Sequence, residues 1–471
     1  MIDFDSIYKY KENNRIEAKK SLGGLPHSIW ETYSSFANTL GGIILLGVVE
    51  KDDKYFDTVD LPAPEVLIEE FWEIINDPKK VSVNILSEKD VYIQTVNGNR
   101  IVVINVPKAE RSLCPIYLDQ SPVNAYRRNG EGDYKCTPDE LEAMKRDALL
   151  ETPDMKLLTD MDIDVIDMGT LNDYRDRMYI SRPGHAWENL SDEDFLVEIG
   201  AAGRSNDGKL HPTAAGLLVF AHEYDIVKEM PEYSLDYRKY KNGKLEERIV
   251  SFSGDWNGNV FDFFQRVEKR IKTLNELYPE QVTDSLQEAL KNCLVHADYY
   301  GKKGVVIIRK EDSMFFSNPG DFRISADNAK RGGSSDPRNS AVLNMLNFVE
   351  MRKPEGNGIS NMVKVFKDLQ WKEPVIVESF NPERITFAFS MKEEESGKKG
   401  SVLKDTGNND WINREFIIDF LTGKGASTLS EISGETGLKE EKTIRNLESL
   451  MEEGYVVKNL REGEEVYELR A

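Results

Sequence analysis

Apolar positions along this chain change period several times, and each change marks an element. Pro26 to Thr39 sets Ile29, Trp30, Tyr33, Phe36 and Ala37 on one side of a helix with Pro near its start. Gly41-Gly42 ends that helix, and Ile43 to Val49 is an apolar run that predicts one buried strand ending in Glu50. Upstream, Arg15-Ile16-Glu17-Ala18-Lys19 alternates as a half-buried strand does, which puts Arg15, Glu17 and Lys19 on one face. Glu12 precedes it by a short turn.

Further on, Asp192 to Leu196 begins an amphipathic helix, and the small residues of His211 to Phe220 predict a closely packed helix with a buried apolar end. The turn Gly254 to Gly258 leads into a helix carrying Phe261, Phe263, Phe264 and Val267, expected to abut the segment that follows. Gln287 to Tyr299 reads as one helix, capped by Asp284 or Ser285, with Leu286, Leu290, Cys293 and Leu294 as its apolar stripe. Val305 to Ile308 is a strand, and Ser313 to Phe316 is a second one ending in a Ser317-Asn318-Pro319-Gly320 turn. Ser335 to Ser340 opens a helix through Leu343, Leu346 and Phe348, and Glu355 to Ile359 opens another.

Lys392 to Asn409 is rich in Lys, Glu, Ser, Gly and Asn and reads as a linker. After it, Ile412–Leu421, Thr428–Gly434 and Lys439–Glu453 predict three helices, followed by a hairpin of Tyr455–Val457 and Val466–Leu469: a small winged helix. Its third helix offers Lys439, Lys442 and Arg445, but also Glu440, Glu441 and Glu448. Residues 410–471 hold 8 Lys+Arg and 14 Asp+Glu, a balance of −6. That leaves a protein-contact or dimerisation module and a DNA reader both open. The expected class is α+β multidomain: residues 1–148 an α/β domain, 149–270 a middle α/β connecting domain, 271–391 an α/β sandwich, 392–409 the linker and 410–471 the winged helix.

Size and charge narrow the classes. A chain of 471 residues suits three or four domains, and 39% hydrophobic residues can fill their cores. No run reaches ~18 apolar residues, so no membrane span or membrane partner is expected. An acidic start at Met1-Ile2-Asp3-Phe4-Asp5 argues against a signal peptide. Cys114, Cys136 and Cys293 share no metal spacing and fit a reducing cytoplasm. A net charge of −22 argues against indiscriminate nucleic-acid binding, so any contact must be local. Arg15, Lys19, Lys20, Arg127 and Arg128 form such a patch if their two strands lie side by side.

Glu288 and Asn292 stand four apart and leave the same helix face. A carboxylate there can take a proton from water, while an amide oxygen ligates a Mg²⁺ held mainly by phosphates. Alone, the pair reads first as a solvated helix face. The ordered set that follows resembles the divergent GHKL (Bergerat-type) ATPase domain of bacterial ATP-binding proteins: Glu288-Ala289-x-x-Asn292-x3-His296-x-Asp298-Tyr299, Asn318-Pro319-Gly320, Arg338-Asn339 and Gly356-x-Gly358-Ile359. The resemblance implies ATP and Mg²⁺ as cofactors, Glu288 as general base and Asn292 as magnesium ligand. It implies Asn318 and Gly320 at the adenine side, where relatives use Asp, Arg338 and Asn339 near a nucleotide lid, and Gly356 and Gly358 at the phosphate turn. The Pro212-Thr213-x-Ala215-Gly216-Leu217-Leu218 run also occurs in that family.

The N-terminal pattern Glu12-x4-Glu17-x-Lys19, Phe36-Ala37-Asn38-Thr39-x-Gly41-Gly42, Gly47-Val48-x-Glu50 and Arg127-Arg128-x-Gly130 resembles the Schlafen/AlbA-type nucleic-acid domain. In nuclease members the acids at these positions bind metal, so the resemblance implies Glu12, Glu17 and Glu50 around Mg²⁺ or Mn²⁺, with Lys19 neutralising the scissile phosphate. The other reading is a charged solvent face on a strand. The expected enzyme is a GHKL-type ATPase with endonuclease activity on RNA or DNA, a nucleotide-gated nuclease suited to antiphage defence. An ATP-responsive transcriptional regulator that binds DNA without cutting it is the alternative, and an ATP-driven homo-oligomeric clamp a third.

Overall fold

The computed structural model describes residues 3–10, 12–51, 55–206, 208–242, 244–324, 331–332, 335–350, 358–380, 383–392, 410–436, 438–452, 455–461 and 463–469. The chain forms two compact units, Met1–Pro153 with Arg323–Ser325, and Asp154–Phe322 with Ala326–Ala471.

The first unit contains β1 (Ile16–Lys19), α1 (Ile29–Asn38), β2 (Gly42–Leu46), β3 (Val48–Glu50), β4 (Phe56–Thr58), α2 (Pro64–Ile75), β5 (Val91–Val96), β6 (Asn99–Val106), β7 (Tyr126–Asn129), β8 (Gly132–Lys135) and α3 (Pro138–Ala148). Its sheet runs β1-β2-β6-β5. Strand β1 lies parallel to β2, Ile16 beside Ile43 and Lys19 beside Leu46, while β6 is antiparallel to both its neighbours. One face buries Ile44, Leu46, Val102 and Ile104 against Tyr33, Phe36 and Phe71 of the helices. The other buries Ile16, Leu45, Ile101 and Val103 against Ile7 and Phe56. Alternation along β1 holds as expected, with Ile16 and Ala18 on that second core.

The expected single strand from Ile43 to Glu50 is two strands. Gly47 sits at φ +83, and a Cβ there would come 2.9 Å from Leu61 Cγ. The left-handed residue turns the chain out of the sheet, so β3 pairs with β4, Val48 against Thr58. The apolar run showed burial but not the bend.

The second unit contains α4 (Met168–Ser181), α5 (Asp192–Glu198), β9 (Ala202–Arg204), β10 (Leu210–Pro212), α6 (Ala214–Phe220), α7 (Glu223–Glu229), β11 (Leu235–Lys241), β12 (Lys244–Val250), α8 (Val260–Lys272), α9 (Glu280–His296), β13 (Val305–Arg309), β14 (Ser313–Pro319), α10 (Ser340–Val349), α11 (Gly358–Asp368), β15 (Val375–Phe380) and β16 (Glu383–Ser390). After them come α12 (Asp410–Lys424), β17 (Ser427–Thr428), α13 (Leu429–Thr436), α14 (Glu440–Glu452), β18 (Val456–Arg461) and β19 (Glu464–Leu469). The three helices and the closing hairpin follow the order expected for the C-terminal segment, while β17, paired with β19, was not expected, and Thr428 and Glu431 exchange capping hydrogen bonds at α13.

The boundary expected at residue 270 does not divide two cores. Strands from both sides of it build one sheet, ordered β12-β11-β13-β14-β16-β15, in which β11 runs parallel to β13. One core runs on from Leu158 through Phe261 and Leu290 to Met391. The opposite sheet face buries Ile308, Phe315 and Ala388 with Ile412 of α12. Periodicity could not show this, because strand partners are a long-range choice.

Helix α9 begins at Glu280, about two turns before the expected start at Gln287, since Val282 joins the buried stripe. Asp284 and Ser285 therefore lie inside it, and the Ser285 hydroxyl donates to the Gln281 carbonyl at 2.8 Å rather than capping. Ser317, Asn318 and Pro319 belong to β14, held in register with Thr386, Ile385 and Arg384, so the turn starts only at Gly320.

The close packing expected around Gly216 is present. A Cβ built on it would overlap the Ala201 carbonyl oxygen. Gly216→Ala should destabilise the protein by about 1–3 kcal/mol, because backbone, unlike a side-chain tip, cannot step aside. A thermal melt equal to the wild type would show that α6 shifts freely.

Candidate functional site

Two sets of polar side chains gather residues far apart in sequence, one in each unit. In the second unit, α9 presents Glu288 and Asn292, both half-buried, on one face. Gly358, the first residue of α11, lies directly against them. A Cβ there would come 3.2 Å from Glu288 Oε1 and 3.4 Å from Asn292 Nδ2. Gly358 has no left-handed φ, so crowding by a side chain, not backbone strain, is what a substitution would bring. Gly356 lies outside the described residues.

Lys291, one position before Asn292, sits 2.9 Å from Glu288 Oε2 and 3.0 Å from Glu350 Oε2. Burial works against its charge, but the two carboxylates outweigh it and hold the ammonium above its ordinary pKa. Burial pushes the Glu350 carboxyl up, with Lys291 opposing.

Asn318, Gly320, Arg338 and Asn339 meet at the far end of α9. Asn318 is buried and its Nδ2 donates to the Pro319 carbonyl at 3.1 Å. Gly320 stands at φ +100, and a Cβ on it would overlap Arg338 Nη1. The group that lies against this backbone is the guanidinium of Arg338. Arg338 is buried, donating to the His296 carbonyl at 3.0 Å and pairing with Asp321 at 3.1 Å. Asn339 donates through its backbone to the Val295 carbonyl at 2.9 Å, and its Nδ2 reaches the Val295 and Ala297 carbonyls at 3.2 and 2.7 Å. Arg338 and Asn339, expected near a nucleotide lid, clamp the C-terminal carbonyls of α9, which need donors once buried.

Arg384 was not singled out in the sequence. It donates to the carbonyls of Lys303, Gly304 and Ser317 at 3.1, 3.0 and 3.1 Å, and desolvation lowers its pKa to about 10. It ties the loop after α9 to β14 and β16.

In the first unit, α1 places its motif residues on β7. Asn38 Nδ2 donates to the Ile116 and Tyr126 carbonyls, and the Thr39 hydroxyl accepts from the Arg128 backbone at 3.0 Å. Phe36 lies under the Arg128 guanidinium, 5.1 Å away. Phe36-Ala37-Asn38-Thr39 thus fixes Arg128, whose side chain is 1% exposed. This corrects the expected basic patch, because strands β1 and β7 are not neighbours in a sheet and Arg128 points inward. Its Nη2 pairs with Glu17 at 2.8 Å and its Nη1 with Asp133 at 2.9 Å, while Glu17 Oε1 pairs with Lys19 at 2.9 Å. Asp133, also missed, accepts from the Thr32 and Ser35 hydroxyls at 2.7 and 2.6 Å. No spacing announces a partner 98 residues away.

Arg15 and Lys20 are exposed, and Arg127 lies 3.8 Å from Glu140. Glu50 is exposed. Glu12 is half-buried and accepts from the Ala18 backbone at 3.0 Å. Desolvation raises its pKa, the Ala18 hydrogen bond and Arg128 oppose, and the nearby carboxylates of Glu17 and Glu50 add to the rise. The three acids are thus close enough to feel one another. Yet both oxygens of Glu17 are taken by cations, and among the described residues no three His, Cys, Asp or Glu side chains are arranged to hold a metal ion.

Three family models match parts of the chain. Residues 12–137 match the family described as Schlafen, AlbA_2. Residues 302–387 match the family described as "Putative ATP-dependent DNA helicase recG C-terminal", beginning past Glu288 and Asn292. Residues 142–236 match a domain of unknown function. No curated protein matches. Among solved structures, the DIP2311 protein from Corynebacterium diphtheriae is 15% identical, with 97% of this chain and 95% of that chain covered at a TM-score of 0.40. The N-terminal domain of a "Putative ATP-dependent DNA Helicase RecG-related Protein" from Nitrosomonas europaea is 29% identical, covering 29% of this chain and 95% of that chain at a TM-score of 0.23.

Glu12 supplies a pH test. Its folded pKa lies above the ordinary value, so its contribution to stability is whole below the unfolded pKa and is lost as pH rises through the folded one. In metal-free buffer Glu12→Gln should melt above the wild type at pH 7, with the gap closing below about pH 4. A variant melting lower at pH 7 would mean that the ionised carboxylate's contacts outweigh its burial.

Proposed function

We propose that this chain binds and hydrolyses ATP as a GHKL-type ATPase and acts on nucleic acid through its N-terminal unit. The observation that carries the first half is the meeting of Glu288, Asn292 and Gly358, a cradle that a single Cβ would fill. Asn292 would hold a Mg²⁺ together with the phosphates, and the ion would screen their charge. Amides at the start of α11 can receive phosphate. Glu288 takes a proton from a water whose oxygen attacks the terminal phosphorus. The bond from that phosphorus to its bridging oxygen breaks, and ADP and inorganic phosphate leave. Arg338 and Asn339 act on this chemistry by fixing the helix that carries it.

The second half rests on the Schlafen, AlbA_2 match and on the cations left at the surface, Arg15 and Lys20, with Lys19 behind them. Two readings divide on the acids. A nucleotide-gated endonuclease, with a place in antiphage defence, uses Glu12, Glu17 and Glu50 around Mg²⁺ or Mn²⁺. An ATP-responsive regulator holds DNA without cutting it, with the C-terminal winged helix as a second contact. The pairing of Glu17 with both Arg128 and Lys19 favours holding, because a metal there must displace a buried guanidinium. The residues as placed do not fit a three-carboxylate metal centre. Nucleotide-driven homo-oligomers suit the ATPase reading, and the cytoplasm suits three cysteines that share no metal spacing. No helix among the described residues is long and apolar enough to cross a membrane.

Asn292→Ala should weaken magnesium-dependent ATP binding by about tenfold or more, while Glu288→Ala keeps binding and stops hydrolysis. Calorimetry showing unchanged affinity in Asn292→Ala would sink the nucleotide assignment.

Labelled RNA and DNA with Mn²⁺, with and without ATP, separate the other two readings. A shift that weakens with salt and further in Lys19→Ala, with no cleavage, supports holding. Cleavage lost in Glu12→Gln, Glu17→Gln and Glu50→Gln variants that still fold and bind ATP establishes the nuclease instead.

A further inference from the structure

Lys291 is an unusual residue for its place. It belongs to the buried side of α9, with 3% of its side chain exposed, among neighbours such as Leu290 and Leu294 that are wholly apolar. Burying an ammonium costs several kcal/mol before any partner repays it, and an apolar residue of similar length would pack there at least as stably. Stability alone therefore does not account for a lysine.

Its contacts do more to account for it. Positions 288, 291 and 292 share one helix face. The Nζ group bridges Glu288 Oε2 at 2.9 Å and Glu350 Oε2 at 3.0 Å. Glu350 is itself well fixed. It follows α10 as its C-terminal cap residue, and the carbonyl before it, Val349, accepts from Arg177 Nε of α4 at 3.1 Å. Arg177 is held in turn by Glu268 of α8 at 2.7 Å. Glu288 is the movable member, with 30% of its side chain exposed. Its two oxygens are divided: Oε2 is on Lys291, and Oε1 faces Gly358.

We propose that Lys291, anchored by Glu350, is a positioning residue for ATP hydrolysis: it holds Glu288 Oε2 so that Oε1 is presented beside Gly358, where the attacking water must stand. The proposal rests on the reading of Glu288 as the base. Lys291 is not a phosphate ligand, since it is buried and its charge is spent on two carboxylates. Without it, two acids face each other and the Glu288 side chain turns away. Nucleotide binding, which depends on Asn292 and the α11 amides, stays intact. Misplacing a catalytic group by about 1 Å can cost on the order of a hundredfold in rate.

The test uses the full chain and its Lys291→Met, Lys291→Arg, Glu350→Gln and Glu288→Gln variants. Steady-state hydrolysis gives kcat and KM, calorimetry gives the Kd for ATP, and circular dichroism checks folding. Lys291→Met should lower kcat about 10- to 100-fold with KM and Kd within about threefold, and Lys291→Arg should recover most of the loss because it keeps the charge and reach. Glu350→Gln should lower kcat several-fold at unchanged KM, and it carries the test if Lys291→Met does not fold. A folded Lys291→Met or Glu350→Gln with wild-type kcat, beside an inactive Glu288→Gln, overturns this inference alone. Equal loss of kcat and of ATP affinity in Lys291→Met and Lys291→Arg makes Lys291 merely structural and also overturns it. A Glu288→Gln variant that hydrolyses ATP at the wild-type rate removes the base itself, and the inference falls with it.

Discussion

Helix α9 ends inside the protein, and the second unit is organised around that fact. A helix leaves its last carbonyls without partners, and buried carbonyls cannot turn to water. Those of Val295, His296 and Ala297 find donors in Arg338 and Asn339, from the segment that opens α10. The clamp sets the height and rotation of α9, and with them the places of Asn292 and Glu288, about one and two turns back. Gly320 is required because the clamping guanidinium lies on its α-carbon.

The same device repeats one layer out. Helix α10 also ends among protein groups, and α4 supplies its donors: Tyr174 to Met345, Arg182 to Asn347, Ser181 to Phe348 and Arg177 to Val349. Asp154 accepts from the Val342 backbone at the other end of α10. A line of buried and half-buried hydrogen bonds thus joins α4, α10 and α9. The stretch expected to be a mere connector is therefore part of the frame that holds the candidate nucleotide site, and β11 and β12 are part of its sheet.

In the first unit the organising group is a buried cation. Arg128 neutralises Glu17 and Asp133, and Lys19 completes the row. Such a row balances its own charge, which suits a chain of net charge −22 that must offer phosphate a local foothold. It also makes Glu17 a poor metal ligand unless Arg128 moves, whereas Glu12, destabilised as an anion by burial, is the acid with most to gain from a cation.

Periodicity and residue chemistry were enough to read most elements of this protein, its mixed α and β class, the alternation of β1, the shared face of Glu288 and Asn292, and the tight packing at Gly216. These are local properties, carried by periods of 2 and 3.6 and by the few residue types that tolerate a given turn or contact. Where the chain pairs with itself at a distance was not local. The bend at Gly47, the extension of β14 through Pro319, the merging of two expected domains and the inward turn of Arg128 each depend on partners outside the local period, from Thr58 and Leu61 for the bend to Glu17 for Arg128. Arg338 and Asn339 show the limit most clearly. Their place in a motif was visible in the sequence, but their work on the carbonyls of α9 was decided by tertiary structure, because only folding brings a buried helix end and its donors together.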